Sequence, residues 1–273
     1  MVSQEQRRRQ LAREKFLRQQ QRRTSARRKA RMRNSVIASV LGVVVIGSLA
    51  LYTTGVLKND DDKANANAEV TPSASATGKA SDPCEKAAKG SVEKLSWKKE
   101  PAITIDKSAD YTMKLATTCG DIGLALKTSA APHTVNSFNF LAGKGYFDHT
   151  KCHRLTTNGI YVLQCGDPTG TGSGGPGYTI PDENLKDKSL KNNVYPAGTV
   201  AMANTGQAHT GGSQFFLVYQ DSQLPPSYTP FGTIDEAGLK VLKEIAAAGE
   251  NTGAGDGAPN ATVVINKATV TKS

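Results

Sequence analysis

The sequence predicts a mainly β fold in which a closed antiparallel barrel carries one helix over each of its openings. From about residue 108, short runs of alternating apolar and polar residues recur, a pattern typical of half-buried strands. Two other segments repeat apolar residues at the three- and four-residue spacing of an amphipathic helix. A final apolar run, 262–270, is placed to close the sheet on itself. The chain has 273 residues, enough for one such domain with further segments before it.

The N-terminal tail, 1–34, accounts for the basic charge of the chain. The formal net charge is +10, but this tail holds 13 Lys and Arg against 2 Asp and Glu. The remaining residues hold 21 Lys and Arg against 22 Asp and Glu, so the folded part is near neutral. That distribution weighs against a nucleic-acid-binding domain, which carries its basic surface on the fold. We interpret the tail as a solvated cytoplasmic segment that sets membrane orientation, with binding to anionic lipid or nucleic acid as the alternative.

An uncharged apolar run, 35–57, follows the tail and predicts a transmembrane anchor. A helix rises about 1.5 Å per residue, so this run can cross a bilayer core of roughly 30 Å. Arg31 and Arg33 precede the run and three aspartates at 60–62 follow it. This asymmetry predicts a single-pass protein of the cell membrane with a cytoplasmic N terminus and an extracytoplasmic domain. A cleaved signal peptide is the alternative, and Ala-Asn-Ala at 66–68 is a segment that could be cut.

The segment 58–107 predicts a flexible extracytoplasmic linker that ends in a packing arm. Up to about residue 90 it is rich in Asp, Asn, Ala, Ser, Thr, Pro and Lys, a composition that favours disorder. Further along, Trp97 is the one Trp of the chain, and two isoleucines alternate with polar neighbours. We interpret 91–107 as an arm that packs on the outside of the domain, and we place the domain at 108–273.

The domain opens with a predicted β-hairpin. Apolar residues alternate with polar ones over 111–115 and again over 122–126, and Cys119-Gly120-Asp121 lies between the two runs. Two helices are expected, one beginning at Pro132 and one capped by Asp235, each ending at glycine. Their apolar faces are Val135, Phe138, Leu141 and Ala142 in the first helix, and Leu239, Leu242, Ile245 and Ala246 in the second. Further strands are expected at 151–155, 160–164, 199–203 and 215–219.

Several separate motifs occur in one order along the domain. They are TVNSF at 134–138, HR at 153–154, QCGDPTGTG at 164–172, GGPGY at 174–178, AMAN at 201–204, GSQFF at 212–216 and FG at 231–232. With these motifs the chain from about 108 to 270 resembles the cyclophilins, the cyclosporin-binding family of peptidyl-prolyl cis–trans isomerases. The resemblance implies an eight-stranded antiparallel barrel capped by two helices. The anchor, the cysteine-containing motifs and the loop LPPSY look like the membrane-anchored, extracytoplasmic cyclophilins of actinobacteria.

The resemblance also implies which residues form the site. The catalytic arginine falls on Arg154. The turn 156–160 is two residues longer than is usual in the family, Gln223 stands where many members have a tryptophan that hydrogen-bonds cyclosporin, and a common pocket histidine is replaced by tyrosine. Weak cyclosporin binding is therefore expected. The substrate-binding positions carried over are Tyr161, Val162, Gln164, Ala203, Asn204, Gln214, Phe216, Leu224 and Tyr228.

These residue types suit a reaction that makes and breaks no bond. Twisting an X–Pro amide removes its resonance and exposes a lone pair on the prolyl nitrogen, to which an arginine can donate. No cofactor is needed, the four histidines lack metal-ligand spacing, and the glycine loop 170–177 lacks the Lys-Ser/Thr of a phosphate loop. The implied function is isomerisation of proline-containing polypeptides during folding of secreted or cell-envelope proteins. The alternative is a membrane-tethered scaffold that binds proline segments without isomerising them.

All four cysteines follow the predicted anchor, on the side where disulfides persist. Four cysteines allow three pairings. Because Cys152 and Cys165 flank the predicted strand pair that carries the site, we expect them to be joined, which leaves Cys84 with Cys119. Free buried thiols are the alternative.

Overall fold

A computed structural model describes residues 82–272. The predicted cytoplasmic tail, 1–34, and the predicted anchor, 35–57, lie outside these described residues, as does the linker up to residue 81. Within the described part, no helix combines the length and the apolar character that crossing a bilayer requires.

The body of the fold is one antiparallel sheet, and two helices accompany it. Ten strands of the described chain form this sheet, in the order β11-β4-β5-β8-β7-β10-β2-β1-β12-β3, and β6 pairs with β9 as a separate ribbon. The strands are β1 Tyr111–Thr117, β2 Gly120–Leu126, β3 Thr150–Lys151, β4 Arg154–Thr156, β5 Val162–Cys165, β6 Val194–Tyr195, β7 Thr199–Met202, β8 Phe215–Val218, β9 Ser222–Gln223, β10 Pro230–Ile234, β11 Asp256–Gly257 and β12 Val264–Lys272. The helices are α1 Pro132–Gly143 and α2 Glu236–Ala247.

The predicted hairpin is confirmed as β1 and β2. Its register pairs Met113 with Leu124 and Leu115 with Ile122, and these four side chains are at most 1 % exposed. The intervening residues of β1, such as Lys114, face solvent. Because successive side chains of a strand point to opposite faces, the alternation in the sequence sends one face into the core.

Helix α1 packs its apolar face into the main core. Phe138 is fully buried, and its ring lies 4.6–5.4 Å from the rings of Phe147, Phe215 and Phe231. The helix has no local side-chain cap. Instead, the Glu183 carboxylate accepts hydrogen bonds from the first-turn amides at 133 and 134, at 3.0 and 2.9 Å. A distant carboxylate therefore satisfies donors that would otherwise be orphaned.

Helix α2 begins where the sequence predicts. The side chain of Asp235 accepts a hydrogen bond of 2.7 Å from the Gly238 amide, which is the geometry of an N-cap. Leu242 and Ile245 are buried against β2, and Leu239 and Ala246 pack at the margin of the core.

The sheet differs from the expected eight-stranded barrel in its number of strands. The predicted strand 151–155 is two short strands, β3 and β4. Between them, the Cys152 amide donates to Val263 and the His153 amide donates to Gln164, each at 3.0 Å. This segment is thus hydrogen-bonded both to the residue before β12 and to β5, and these two strands lie near opposite ends of the strand order.

Strand β10 lies in the middle of the sheet, between β7 and β2, and the sequence analysis did not predict it. Its sequence, PFGTI, begins with proline and has glycine at its centre, and both residues usually mark turns. The register between β10 and β7 shifts between Pro230 and Gly232, which accommodates both residues at an irregularity of the ladder.

Two disulfides join the pairs that the sequence predicts. Cys84 is bonded to Cys119, 35 residues away, and Cys152 to Cys165, 13 residues away. Closing loops of these lengths stabilises a fold by about 3–4 kcal/mol each in the chain-entropy model. The first bond ties the segment before β1 to the β1–β2 turn, and the second links the residues just before β4 to the end of β5.

Candidate active site

The site is built from a row of side chains across four neighbouring strands. The sheet register places Arg154 of β4 opposite Gln164 of β5, Gln164 opposite Phe216 of β8, and Phe216 opposite Ala201 of β7. Directly opposed residues share a face of the sheet. Strand pairing alone therefore aligns a cation, an amide, an aromatic ring and a small side chain.

A pocket of about 100 Å³ opens over this row. Its apolar floor is rigidly packed, because Val162, Phe216 and Leu224 are at most 9 % exposed. These residues belong to a small second core that also contains Tyr195 and other buried side chains. The pocket is lined by Arg154, Ile160, Val162, Gln164, Ala203, Asn204, Phe216, Leu224 and Tyr228.

The Tyr195 hydroxyl fixes Tyr228 at the pocket wall. It donates a 2.8 Å hydrogen bond to the main-chain carbonyl of Tyr228, and burial raises the pKa of Tyr195 to about 12. The Tyr228 ring meets the Phe216 ring edge to face, with centroids 5.4 Å apart. Tyr228 thus completes the aromatic wall of the pocket.

Arg154 stands at the rim of the pocket in a fixed orientation. Its Nε and Nη2 donate to the two oxygens of Asp256 at 2.7 and 2.8 Å, and Nη1 donates to Gln164 Oε1 at 3.2 Å. The hydrogen-bonded Asp256 carboxylate raises the pKa of Arg154, so the guanidinium remains charged. An arginine has five N–H donors, so one hydrogen on each terminal nitrogen remains available to a ligand.

Asp256 was not predicted as a site residue. It belongs to β11, which pairs with β4, and a glycine-rich turn precedes it. The Glu250 carboxylate, in a residue 8 % exposed, holds that turn by accepting from the Thr252 and Gly255 amides at 2.6 and 2.9 Å. An Asp-Gly pair after such a turn carries no pattern in the sequence that would connect it to an arginine 102 residues earlier.

Gln164 extends the network away from the pocket. Its Nε2 donates to Gln214 Oε1 at 2.9 Å, and Gln214 Nε2 donates to the Gly174 carbonyl at 2.8 Å. Gln214 therefore lies beside the pocket, in an adjoining groove. It contacts the pocket only indirectly, by holding the Gln164 side chain through their hydrogen bond.

Asn204 uses its side chain to hold its own loop. Its Nδ2 donates to the Ser227 carbonyl at 2.8 Å, and its Oδ1 accepts from the Gly206 amide at 2.9 Å. No hydrogen bond from residues 82–272 engages the main-chain amide or carbonyl of Asn204. Asn204 lines the pocket next to Ala203, so these two main-chain groups are free to bind a peptide backbone.

Tyr161, which the resemblance assigns to substrate binding, does not line the pocket. Its ring packs against Tyr219 with centroids 6.0 Å apart, and its amide donates to Ser222 Oγ at 2.8 Å. Ile160 lines the pocket in its place. Side chains alternate between the two faces along the chain here, so Ile160 shares the pocket face with Val162 and Gln164, and Tyr161 lies on the opposite face.

Asp167 anchors the glycine loop that borders the site. It is fully buried and accepts hydrogen bonds from the amides of Thr169, Thr171 and Gly172 at 2.6–3.0 Å. Burial acts to raise the pKa of Asp167, but these hydrogen bonds outweigh it and lower the pKa to about 2. The loop is thus organised around a structural carboxylate.

The arrangement suits positioning and electrostatic stabilisation. The pocket lining combines a fixed cation and amide groups with an apolar recess, and it includes no Ser, Cys or His beside a base. Among the residues that the structure describes, no three His, Cys, Asp or Glu side chains are grouped as a metal site.

Comparisons with known proteins agree with this geometry. Residues 112–270 match the family model of the cyclophilin type peptidyl-prolyl cis-trans isomerases. The chain is 51 % identical over 165 residues to a probable peptidyl-prolyl cis-trans isomerase B of Mycobacterium leprae, covering 58 % of this chain and 56 % of that protein. It is 39 % identical over 133 residues to a peptidyl-prolyl cis-trans isomerase of Synechococcus elongatus, covering 48 % of this chain and 86 % of that protein. The alignment thus spans about half the length of the mycobacterial relatives.

Solved structures show the same fold. A cyclophilin type isomerase of Cryptosporidium parvum matches with a TM-score of 0.50 at 27 % identity, covering 60 % of this chain and 99 % of that one. A structure of the same protein in the presence of the dipeptide Ala-Pro also has a TM-score of 0.50, at 28 % identity, with coverages of 59 % and 99 %. On its sequence, its curled sheet with two helices and the extent of the family match, this chain belongs to the cyclophilin-type peptidyl-prolyl cis-trans isomerase family.

Proposed function

We propose that this protein accelerates cis–trans isomerisation of X–Pro bonds in polypeptides. The observation that carries the proposal is the position of Arg154, whose unused N–H donors lie at the rim of a pocket of about 100 Å³ with an apolar floor. The Cryptosporidium relative whose structure was determined with Ala-Pro supports a proline-containing ligand.

The rotation barrier of an X–Pro bond is about 18–20 kcal/mol, because twisting destroys amide resonance. In the twisted state the prolyl nitrogen carries a lone pair that the planar amide does not offer. A guanidinium donor aimed at this nitrogen stabilises the twisted state more than the planar one, and only such a difference accelerates the reaction. The ion pair with Asp256 fixes the guanidinium before substrate arrives.

The remaining pocket residues hold one end of the bond while the other end turns. Phe216, Val162 and Leu224 bury the prolyl ring by apolar contact. The main-chain groups of Asn204 bind the peptide backbone, and Gln164 keeps Arg154 and Gln214 in register. No proton is transferred and no covalent intermediate forms, so the reaction needs no general acid or base.

Catalysis is tested by measuring isomerisation of a proline tetrapeptide with NMR exchange spectroscopy and, independently, with a protease-coupled assay. We expect the purified protein to accelerate the exchange. A protein that binds the peptide without changing the exchange rate is the scaffold alternative, and that result would overturn the proposal.

We propose further that residues 35–57 anchor the protein in the cell membrane, with residues 1–34 in the cytoplasm and the domain 108–273 outside, joined by the linker 58–107. The positive flank before the apolar run and the acidic flank after it support this topology. The substrates are then secreted or cell-envelope proteins. An alkaline phosphatase fused after Ser273 should be active in whole cells; activity of a cytoplasmic reporter at the same position would contradict the topology.

We propose also that the segment between β3 and β4 closes the barrel, since its amides bond to Val263 and Gln164. Cyclosporin binding is proposed to be weak, because Gln223 supplies no indole donor. Gln223→Trp should tighten cyclosporin binding in a titration, and an unchanged affinity would contradict the assignment of that position.

A further inference from the structure

A second, larger groove lies beside the proline pocket. It encloses about 1060 Å³ and shares Gln164, Ala203 and Asn204 with the pocket. Because the two spaces share these walls, a polypeptide whose proline occupies the pocket runs its flanking residues into the groove. One wall of the groove is the glycine loop from Gly172 to Gly177, which has no charged side chain.

The opposite wall comes from a segment outside the family match. Lys98, Lys99 and Glu100 line the groove, whereas the match to the family model begins at residue 112. These residues lie in the arm that follows the linker. The arm therefore adds a surface to the site that the barrel by itself does not contain.

The tryptophan of the arm fixes this segment to the barrel. The Trp97 amide donates to the Pro176 carbonyl at 2.8 Å, next to the glycine loop. Its indole packs against Phe140 and Tyr146, with ring centroids 5.0 and 6.0 Å away. Gly177, at φ +88°, leaves space there, since a Cβ would collide with Ser96 and the Trp97 carbonyl.

The buried side chain of Asn136 fixes the continuation of the arm. Its amide donates to the carbonyls of Pro101 and Ala102 at 3.3 and 3.1 Å, and its oxygen accepts from the Thr104 amide at 3.0 Å. The arm is thus bonded to the barrel on both sides of Lys98 and Lys99, so the two lysines are carried at a defined place along the groove.

The charges of the groove are unbalanced toward the positive. Both lysines are exposed, and neither has an ion-pair partner within residues 82–272. The one carboxylate in the lining, Glu100, contacts His133, with Oε1 2.7 Å from Nδ1. Two exposed lysines without an ion-pair partner in the described part of the chain therefore line the groove.

We propose that the arm and the barrel together form an extended substrate groove that prefers polypeptides with an acidic side chain near the proline. This proposal rests on the proposed isomerase function and names its substrate class. Lys98 and Lys99 are the specificity-determining residues, and they act on the flanking residue rather than on the twisted amide. Exposed ion pairs are weak individually, so the expected preference for Glu over Gln is about three- to tenfold.

The test compares proline peptides that carry Glu, Gln or Lys at each position near the proline, on either side. Isomerisation rate and affinity are measured at low and high salt for each peptide. We expect the wild type to prefer Glu at one flanking position and to lose the preference at high salt. The double variant Lys98→Gln/Lys99→Gln should bring the ratio of Glu to Gln close to one, and Lys98→Glu/Lys99→Glu should favour the Lys peptide.

A matched control removes the same charge elsewhere. Lys240→Gln/Lys243→Gln changes two exposed lysines of α2 and should keep the preference for Glu. A wild type without charge preference, or a Lys98→Gln/Lys99→Gln variant that keeps it, would refute the extended groove. If no peptide is isomerised, the proposed isomerase function is refuted. The affinities of the Glu and Gln peptides then still show whether the groove prefers an acidic side chain.

Discussion

Arg154 and Asp256 form a two-point ion pair, with Nε 2.7 Å from Oδ1 and Nη2 2.8 Å from Oδ2, although 102 residues separate them in sequence. The pair uses one edge of the planar guanidinium and turns the other edge toward Gln164 and the pocket. Such a bidentate contact fixes the plane of the group as well as its position. We therefore expect Asp256 to position Arg154 for the proposed reaction.

The first prediction concerns Asp256→Asn. Asparagine keeps the shape but can accept with one oxygen only, so the guanidinium should sample more orientations. Both side chains are partly exposed, 38 % for Arg154 and 55 % for Asp256, so solvent weakens the pair. We expect kcat to fall about three- to tenfold with little change in peptide affinity.

The control for this prediction is Asp121→Asn, which breaks the exposed ion pair with Lys114, 2.6 Å long, on the β1–β2 hairpin. It should leave kcat unchanged. A kcat for Asp256→Asn equal to that of this control would contradict the positioning role. If both variants lose the same Tm, their difference in kcat still decides the question.

The second prediction concerns His153 and acid. Burial is the main reason that the pKa of His153 lies below its usual 6.5, and neither ring nitrogen has a hydrogen-bond partner in the described structure. The unfolded chain therefore binds a proton at a pH where the folded protein does not. The free energy of unfolding should fall as the pH drops through about 6.5 and level off below the lowered pKa.

Thermal unfolding between pH 8 and pH 5 measures this effect. His153→Asn should flatten the dependence of Tm on pH in that range. His209→Gln, at an exposed position, should retain the dependence of the wild type. Parallel curves for wild type and His153→Asn would show that another group is responsible.

The spacing of apolar residues predicted most of the fold. Burial of one face imposes a period of two residues on β1 and β2 and a period of 3.6 residues on α1 and α2. The same reasoning failed at β10, where Pro230 and Gly232 are accommodated by an irregular register that no local pattern shows. In the site, Arg154, Gln164 and Phe216 lie together because strand register aligns them.

The sequence analysis missed two site residues, for different physical reasons. Ile160 lines the pocket and Tyr161 does not, because the alternation of side chains puts Ile160 on the same face as Val162 and Gln164. Asp256 reaches Arg154 only through the pairing of β11 with β4, a contact between distant segments. Local periodicity carries no information about such a contact.

The third prediction concerns the disulfide between Cys152 and Cys165. It closes a short loop across the two strands that hold Arg154 and Gln164. Cys152→Ser/Cys165→Ser should lower stability by about 3 kcal/mol, or Tm by about 6–12 °C. Peptide mapping without reductant should recover Cys152 joined to Cys165 from the wild type. Equal melting temperatures for the wild type with and without reductant would contradict a stabilising role for the disulfides.

The last prediction separates the catalytic role of Arg154 from a structural one. If its free N–H groups stabilise the twisted amide, Arg154→Ala should lower the isomerisation rate about 30- to 1000-fold, corresponding to 2–4 kcal/mol, while peptide binding stays nearly normal. Arg154→Lys should recover only part of the rate, because one ammonium cannot pair with Asp256 through two donors and also face the substrate. Phe216→Ala should behave differently and weaken binding as well, since it removes the apolar floor of the pocket. Thermal unfolding, peptide affinity and exchange rate are measured on the same samples. A lower Tm with normal activity per folded molecule would make Arg154 a structural partner of Asp256 and not a catalytic residue.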